Sequence, residues 1–136
     1  MIYDSETIKL SRIDNYIYHQ YFQLPSEENW KGGFKAGLAY YDGTPELLHW
    51  LNDLSGCWGT DCNNVIWLYD NVNKKINPTK GLMRIAFVKP QPEFRQMNDA
   101  IDFYITYSNA GFKDKKEALI CAFNTLEKAK EWLGMG

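Results

Sequence analysis

Long apolar runs and an excess of charge of one sign are both missing from this 136-residue sequence. No apolar stretch reaches about 18 residues, the length that predicts a transmembrane helix. The formal net charge is −2, with 15 basic and 17 acidic residues mixed along the chain. The sequence therefore predicts no membrane span. Because a basic stripe is also absent, it does not predict a nucleic-acid-binding protein.

Cysteine and histidine are also scarce, with three and two residues respectively. The N-terminal residues lack the basic segment followed by an apolar one that is typical of a secretory signal peptide. With an odd number of cysteines, this favours reduced thiols in a cytoplasmic protein. Cys57 and Cys62 have a spacing that zinc sites use, but a second pair of ligands is missing, so we expect no metal. Neither a pairing of Cys57 with His49 nor a pair of catalytic carboxylates is indicated. We therefore expect no cofactor and no enzymatic activity.

Aromatic residues are abundant, at 15% of the sequence, and the hydrophobic fraction is 45%. The length and this apolar content predict a single domain over residues 1–136. Most of the large rings lie in the first half, where a core built from them is the favoured interpretation. The alternative is an aromatic-lined pocket that binds an apolar small molecule or a lipid.

The first half predicts a hairpin followed by two helices. Strands over residues 7–13 and 16–23 flank turn residues at 14–15. Ser26 then predicts a helix start, and apolar residues follow at helical spacing: Trp30, Phe34, Leu38 and Tyr41. Thr44 and Pro45 predict a second helix start, and its apolar face would be Leu47, Leu48, Leu51 and Leu54.

The second half predicts three strands and two helices. Residues 65–69 and 82–88 are short apolar runs typical of buried strands. A helix follows Pro92, with Ile101 on its apolar face and Arg95, Asp99 and Asp102 facing away. The last strand covers residues 118–123, and Asn124 with Glu127 predicts a capping box for the last helix. The predicted fold class is α/β, a mixed sheet of about five strands with helices packed on it.

Four segments resemble the SpoIIAA-like branch of the STAS domain superfamily. They are residues 65–70 (VIWLYD), 84–88 (RIAFV), 110–112 (AGF) and 123–133 (FNTLEKAKEWL). The resemblance implies a STAS/SpoIIAA-like fold and a non-enzymatic regulatory or binding module. STAS antagonists of anti-sigma factors are switched by phosphorylation of a serine after a strand. Residues 70–75 contain no serine, and Ser55 ends a predicted helix, so this switch is not carried over.

The sequence departs from that pattern between the strands at 65–69 and 82–88. The connection is short for a parallel crossover and contains Pro78. Either these two strands pair antiparallel, which we prefer, or the helix from Pro45 supplies the crossover. In the second case residues 38–42 would be the strand that ends in aspartate.

Three polar residues, Asp70, Asn71 and Asn73, follow the predicted strand at 65–69. Ligands of open α/β sheets gather at the carboxyl ends of strands, so these residues are the predicted binding site. The expected partner is another protein or a second copy of the chain, and a small-molecule ligand is the alternative. No catalytic residue is predicted.

Overall fold

A computed structural model of the chain describes residues 2–22, 26–55, 67, 71–72, 75, 81, 83–90, 95, 98–99, 101–102, 105–106 and 119–134. One six-stranded sheet runs in the spatial order β1 to β6. Its strands are β1 (Tyr3–Asp4), β2 (Ile8–Ile13), β3 (Tyr16–Tyr21), β4 (His49–Asp53), β5 (Arg84–Val88) and β6 (Leu119–Phe123). The helices with described bounds are α1 (Glu27–Asp42) and α2 (Leu126–Trp132).

The sheet is mixed, and its N-terminal hairpin is confirmed. Strands β1, β2 and β3 pair antiparallel, whereas β3, β4, β5 and β6 pair parallel. Asp14 in the hairpin turn has a φ of 50°, a left-handed conformation that aspartate adopts more readily than most residues. The short edge strand β1 was not predicted.

Helix α1 begins where its sequence predicts. The Ser26 side chain accepts a hydrogen bond from the backbone N–H of Asn29 at 3.1 Å, as an N-cap should. The four residues predicted for its apolar face are all buried, and they are Trp30, Phe34, Leu38 and Tyr41. This face packs against the sheet.

Two glycines bring α1 unusually close to the sheet. A Cβ atom at Gly37 would lie 2.5 Å from Cζ2 of Trp50, and one at Gly33 would lie 3.2 Å from Nε2 of His19. Glycine costs helix stability relative to alanine. Here the missing side chains leave room for two large rings that stand on β3 and β4.

The helix predicted from Pro45 is wrong, because this segment contains β4. Trp50 and Leu51 are consecutive, and both are buried on opposite faces of the sheet, with 1% and 0% of their surface exposed. Such burial on both sides is typical of a central parallel strand. The leucines that matched a helical period are those of a short, fully buried run, which periodicity alone does not distinguish from a helix.

The strand predicted at residues 65–69 is wrong at Trp67, which is helical; the rest of that segment lies outside the described residues. The side-chain amide of Asn71 donates to the carbonyl of Trp67 at 2.9 Å, one helical turn away. Both alternatives for the middle of the chain are wrong. Strand β5 pairs parallel with β4 and β6, and residues 38–42 belong to α1.

The sheet buries side chains on both faces. Helix α1 covers one face together with the helical residue Ile101, which is buried as predicted, while Arg95, Asp99 and Asp102 are exposed. Helix α2 covers β4, β5 and β6 on the other face. The core on that side consists of Tyr16, Leu51, Ala86, Val88, Ala129 and Leu133.

Helix α2 has the predicted apolar face but a different cap. Thr125, not Asn124, is the N-cap, and its hydroxyl accepts from the backbone N–H of Lys128 at 3.3 Å. The predicted capping box at Asn124 is therefore wrong by one residue. Gly134 has a φ of +80° beyond the C-terminus of the helix, a left-handed conformation that favours glycine.

Candidate interaction site

The parallel strands end together at one edge of the sheet. Gln20 of β3 is in register with Asp53 of β4, and Asp53 is in register with Val88 of β5. The carboxyl ends of parallel strands are where open α/β sheets commonly hold their ligands. Polar side chains at this edge are therefore the first candidates for a functional site.

Asp53 is the centre of a hydrogen-bonded group that we call the Asp53 cluster, formed by Tyr18, Asp53 and Ser55. Oδ1 of Asp53 accepts from the Ser55 hydroxyl at 2.6 Å and from the Ser55 backbone N–H at 3.1 Å. Oδ2 accepts from the Tyr18 hydroxyl at 3.2 Å. The carboxylate thus fixes the start of the loop after β4, in the manner of an Asx turn.

Tyr18 is a hydrogen-bond donor in this cluster over the whole neutral range. Burial raises the pKa of Tyr18 to about 12, and the negative charge of Asp53 and its hydrogen bond act in the same direction. A hydrogen bond from Gln20 opposes them. The phenol is therefore unsuited to proton transfer near neutral pH, since an acid–base group works best with a pKa close to the operating pH.

One side of the hairpin is exposed next to this cluster. We call it the open face: it comprises the side chains of β2 and β3 that lie on the α2 side of the sheet and are not buried, together with Phe22. Its members are Lys9, Ser11, Ile13, Tyr18, Gln20 and Phe22. Ile13 is 37% exposed and Phe22 is 48% exposed. Because Gln20 is in register with Asp53, the open face and the Asp53 cluster are continuous.

The open face mixes two apolar side chains with polar ones. The ammonium group of Lys9 lies 5.6 Å from the centroid of the Phe22 ring, within cation–π range. The helix described on this side, α2, contacts β4, β5 and β6. Ile13 and Phe22 are thus presented to solvent by the hairpin.

The amino end of the parallel strands has a structural role. Nδ1 of His49 accepts from the backbone N–H of Arg84 at 3.0 Å. Burial, and then the charge of Arg84, lower the pKa of His49. The Arg84 guanidinium donates to the carbonyl of Trp132 at 2.7 Å, at the end of α2 where a cation is favourable. The first contact joins β4 to β5, and the second attaches α2 to the sheet.

The structure describes one of the three predicted binding residues, Asn71. Asp70 and Asn73 lie outside the described residues, and Asn71 is helical. Their binding role stays a prediction, but the strand argued to precede them is not a strand at Trp67. The aspartate that ends a buried central strand is Asp53.

The reason for setting Ser55 aside was also wrong. Ser55 follows a strand rather than a helix, and it is exposed. The spacing of the leucines in residues 47–54 predicts a helix, so the sequence indicates neither Asp53 nor Ser55 as a site residue. The short length of this apolar run, between Pro45 and Gly56, was the signal for a strand.

The abundant aromatic rings pack on one another. His19 lies 4.5 Å from Tyr21 and 4.7 Å from Phe34, and Trp30 lies 5.0 Å from Phe34, between ring centroids. These are ordinary distances for rings in contact. This arrangement is that of a core, the favoured interpretation of the aromatic content.

The structure bears on the metal and membrane predictions only for the residues that it describes. Among the described residues no group of three or more histidine, cysteine, aspartate or glutamate side chains is placed to hold a metal ion. Cys57 and Cys62 lie outside those residues, while Cys121 on β6 is half-buried. No described helix has the length and apolar character needed to cross a bilayer.

Comparison with solved structures identifies the fold. The chain is similar to an uncharacterised DUF3478-family protein from Shewanella loihica PV-4, whose crystal structure has a SpoIIAA-like fold. The TM-score is 0.53 at 14% sequence identity, and the match covers 93% of this chain and 92% of the other. No protein-family model matches the sequence. The curated proteins likewise contain no match.

The class of the molecule follows from these observations. It is an α/β domain with a SpoIIAA-like fold, as the sequence resemblance implied. The similarity at this level of identity concerns the fold alone. Function has to be argued from the site at the carboxyl edge of the sheet.

Proposed function

We propose that the protein is a non-enzymatic, cytoplasmic regulatory module that binds a partner protein through the open face and the Asp53 cluster. The observation that carries the proposal is the exposed apolar side chain of Phe22 beside a polar cluster at the carboxyl edge of the sheet, with the exposed side chain of Ile13 at the other end of the same face. This arrangement combines apolar anchors with a hydrogen-bonding rim, as transient protein interfaces do.

The composition of the open face favours a transient heterologous partner over a permanent homodimer. Obligate homodimer interfaces are more apolar, whereas transient interfaces resemble the rest of the protein surface. Here Lys9, Ser11 and Gln20 surround Ile13 and Phe22. A second copy of the chain is therefore the less favoured occupant.

Ser55 is the residue through which this surface is regulated in our proposal. Its hydroxyl is exposed and lies 2.6 Å from Oδ1 of Asp53. A phosphate on that oxygen would place about two negative charges beside a carboxylate and would break the contact. Ser55 would then move away from Asp53, and the partner surface would change with it.

The two histidines support a non-enzymatic role. His19 is completely buried, and Nδ1 of His49 is occupied by the backbone N–H of Arg84. The Asp53 carboxylate accepts three hydrogen bonds from its own neighbours. None of these groups is poised to act on a bound substrate. The apolar-ligand alternative gains no support, since the described aromatic rings pack against each other.

Affinity capture from the native host tests the proposal. We expect the wild-type chain and Ser55→Ala to retain the same partner, because the backbone N–H of residue 55 still binds Asp53. Ser55→Asp should retain at least about fivefold less, as expected for like charges about 4 Å apart at the surface. Equal retention by both variants would remove the regulatory role. A monomeric protein with no reproducible partner would refute the interaction module.

A further inference from the structure

Of the two histidines, both described in the structure, His19 is the one whose imidazole ring is completely buried in the core. Its side chain has no exposed surface. The ring lies between the sheet and α1, 4.7 Å from Phe34 and 6.1 Å from Trp50 between centroids. On the helix side it faces Gly33, where a Cβ atom would be only 3.2 Å from Nε2. The imidazole thus sits at the contact that holds α1 on the sheet.

The hydrogen bonding of His19 fixes its protonation. The indole N–H of Trp50 donates to Nδ1 of His19 at 3.2 Å, so Nδ1 carries no proton and the neutral ring has its proton on Nε2. A second proton would have to bind Nδ1, where it would oppose the indole N–H. Nε2 has no hydrogen-bond partner in the part of the chain that the structure describes. The charged ring would therefore have two donors and no acceptor.

Among the described residues, those around His19 offer no compensating charge. From β2 it faces Leu10, from β4 Trp50 and Asn52, and from α1 Gly33 and Phe34. Tyr21 of β3 is the titratable residue in ring contact with it. None of these described residues is acidic, so an imidazolium here would be a buried charge without a counter-ion.

We propose that His19 makes the packing of α1 on the sheet acid-sensitive, so that protonation of this ring releases α1 from β2, β3 and β4 before the parallel strands separate. Release would expose the aromatic face beneath the helix, which includes Tyr21 and Trp50. This is a conformational device separate from the partner surface, which lies on the other side of the sheet.

The size of the effect follows from linkage. Burial lowers the pKa of His19 from 6.5 to about 3. Above pH 6.5 the ring is neutral in both states, and the packed state keeps its full stability. As the pH falls from 6.5 toward 3, the opened state binds the proton and the packed state does not, so the packed state loses stability. Between pH 7 and pH 4.5, the equilibrium constant for opening should rise about 100-fold if the opened state has the ordinary pKa.

Hydrogen exchange of backbone amides tests the proposal on the full chain. At pH 4.5 and pH 7, after correction for the intrinsic exchange chemistry, the opening constant of α1 amides should differ about 100-fold in the wild type. Amides of β5 should change less. His19→Gln, which cannot be protonated, should make α1 opening independent of pH. His49→Gln is the matched control and should leave the wild-type response in place.

Three results would overturn the proposal: an α1 response that persists in His19→Gln, no response in the wild type, or equal opening of α1 and β5. If His19→Gln fails to fold, the NMR titration of the His19 ring in the wild type decides. The proposal requires its carbon-bound protons to keep the shift of the neutral ring at pH 5. A ring that titrates near pH 6.5 while α1 stays protected would refute it.

Discussion

The hydroxyl of Tyr18 donates to Oδ2 of Asp53 across 3.2 Å and joins the middle of β3 to the carboxyl end of β4. The register pairs Tyr18 with Leu51 and Gln20 with Asp53, so the phenol reaches diagonally along the sheet to its acceptor. This contact links the open face of the hairpin to the loop that begins at Ser55. The partner surface that we propose depends on this link.

The contact between Tyr18 and Asp53 should be visible in the alkaline stability of the protein. The pKa of Tyr18 is raised from 10 to about 12, so the unfolded state loses this proton first and stability falls as the pH rises through that interval. Tyr18→Phe should show a smaller loss of unfolding free energy between pH 10 and pH 12. The loss in Asp53→Asn should lie between those of the wild type and Tyr18→Phe, since burial raises the pKa of Tyr18 more than Asp53 does. Chemical denaturation at each pH measures the slopes, and identical slopes in all three proteins would contradict the assignment.

Gly37→Ala should destabilise the protein even though alanine is the better helix former. The new Cβ atom would lie 2.5 Å from Cζ2 and 2.6 Å from Cη2 of Trp50, inside a packed interface. Overpacking of this kind costs about 1–3 kcal/mol, more than the helix propensity returns. Urea denaturation measures the change.

Gly43→Ala is the control for this substitution. Its Cβ atom would lie 3.5 Å from the carbonyl oxygen of Ala39, an ordinary contact, and its φ of −81° suits alanine. We expect a change within about 0.5 kcal/mol. Equal effects at both glycines would mean that α1 does not approach Trp50 as described.

Trp50→Phe should lower the free energy of unfolding by more than the lost ring volume explains. The substitution removes the indole N–H and leaves Nδ1 of His19 buried without a donor. An orphaned buried acceptor costs about 1–3 kcal/mol in addition to the packing loss. In His19→Phe, where no acceptor remains, Trp50→Phe should cost less. A double-mutant cycle of unfolding free energies measures this difference, and additive effects would contradict the hydrogen bond.

The cap of α2 distinguishes the observed structure from the sequence prediction. Thr125→Ala removes the hydroxyl that accepts from Lys128 N–H and should cost about 1 kcal/mol. Asn124→Ala should be nearly neutral, because Asn124 lies before the cap. Thermal unfolding of the two variants measures the difference, and the opposite order would restore the capping box predicted at Asn124.

Local signals predicted much of this fold. The hairpin turn at Asp14, the cap of α1 at Ser26 and the apolar face of α2 are encoded by neighbouring residues, and all three are confirmed. The closing strand and helix gave a correct indication of a SpoIIAA-like fold. These features depend on short-range chemistry that a sequence displays directly.

The central strand was missed because its identity depends on tertiary burial. The apolar pattern of residues 49–53 fits one side of a helix as well as a strand. Only the structure shows that this segment is buried on both faces of the sheet. Because Asp53 and Ser55 lie at its end, the error moved the predicted site to Asp70. The contact of Tyr18 with Asp53 joins residues 35 positions apart, which no local pattern indicates.

Photo-crosslinking in the native host tests the partner surface most directly. A photoreactive phenylalanine analogue at position 22 would lie on the open face, and the same analogue at position 28 would lie on the exposed side of α1 as a control. We expect a crosslink to one partner protein from position 22, absent from position 28 and reduced in Ser55→Asp. Crosslinks of equal yield from both positions, or no crosslink from position 22, would contradict it.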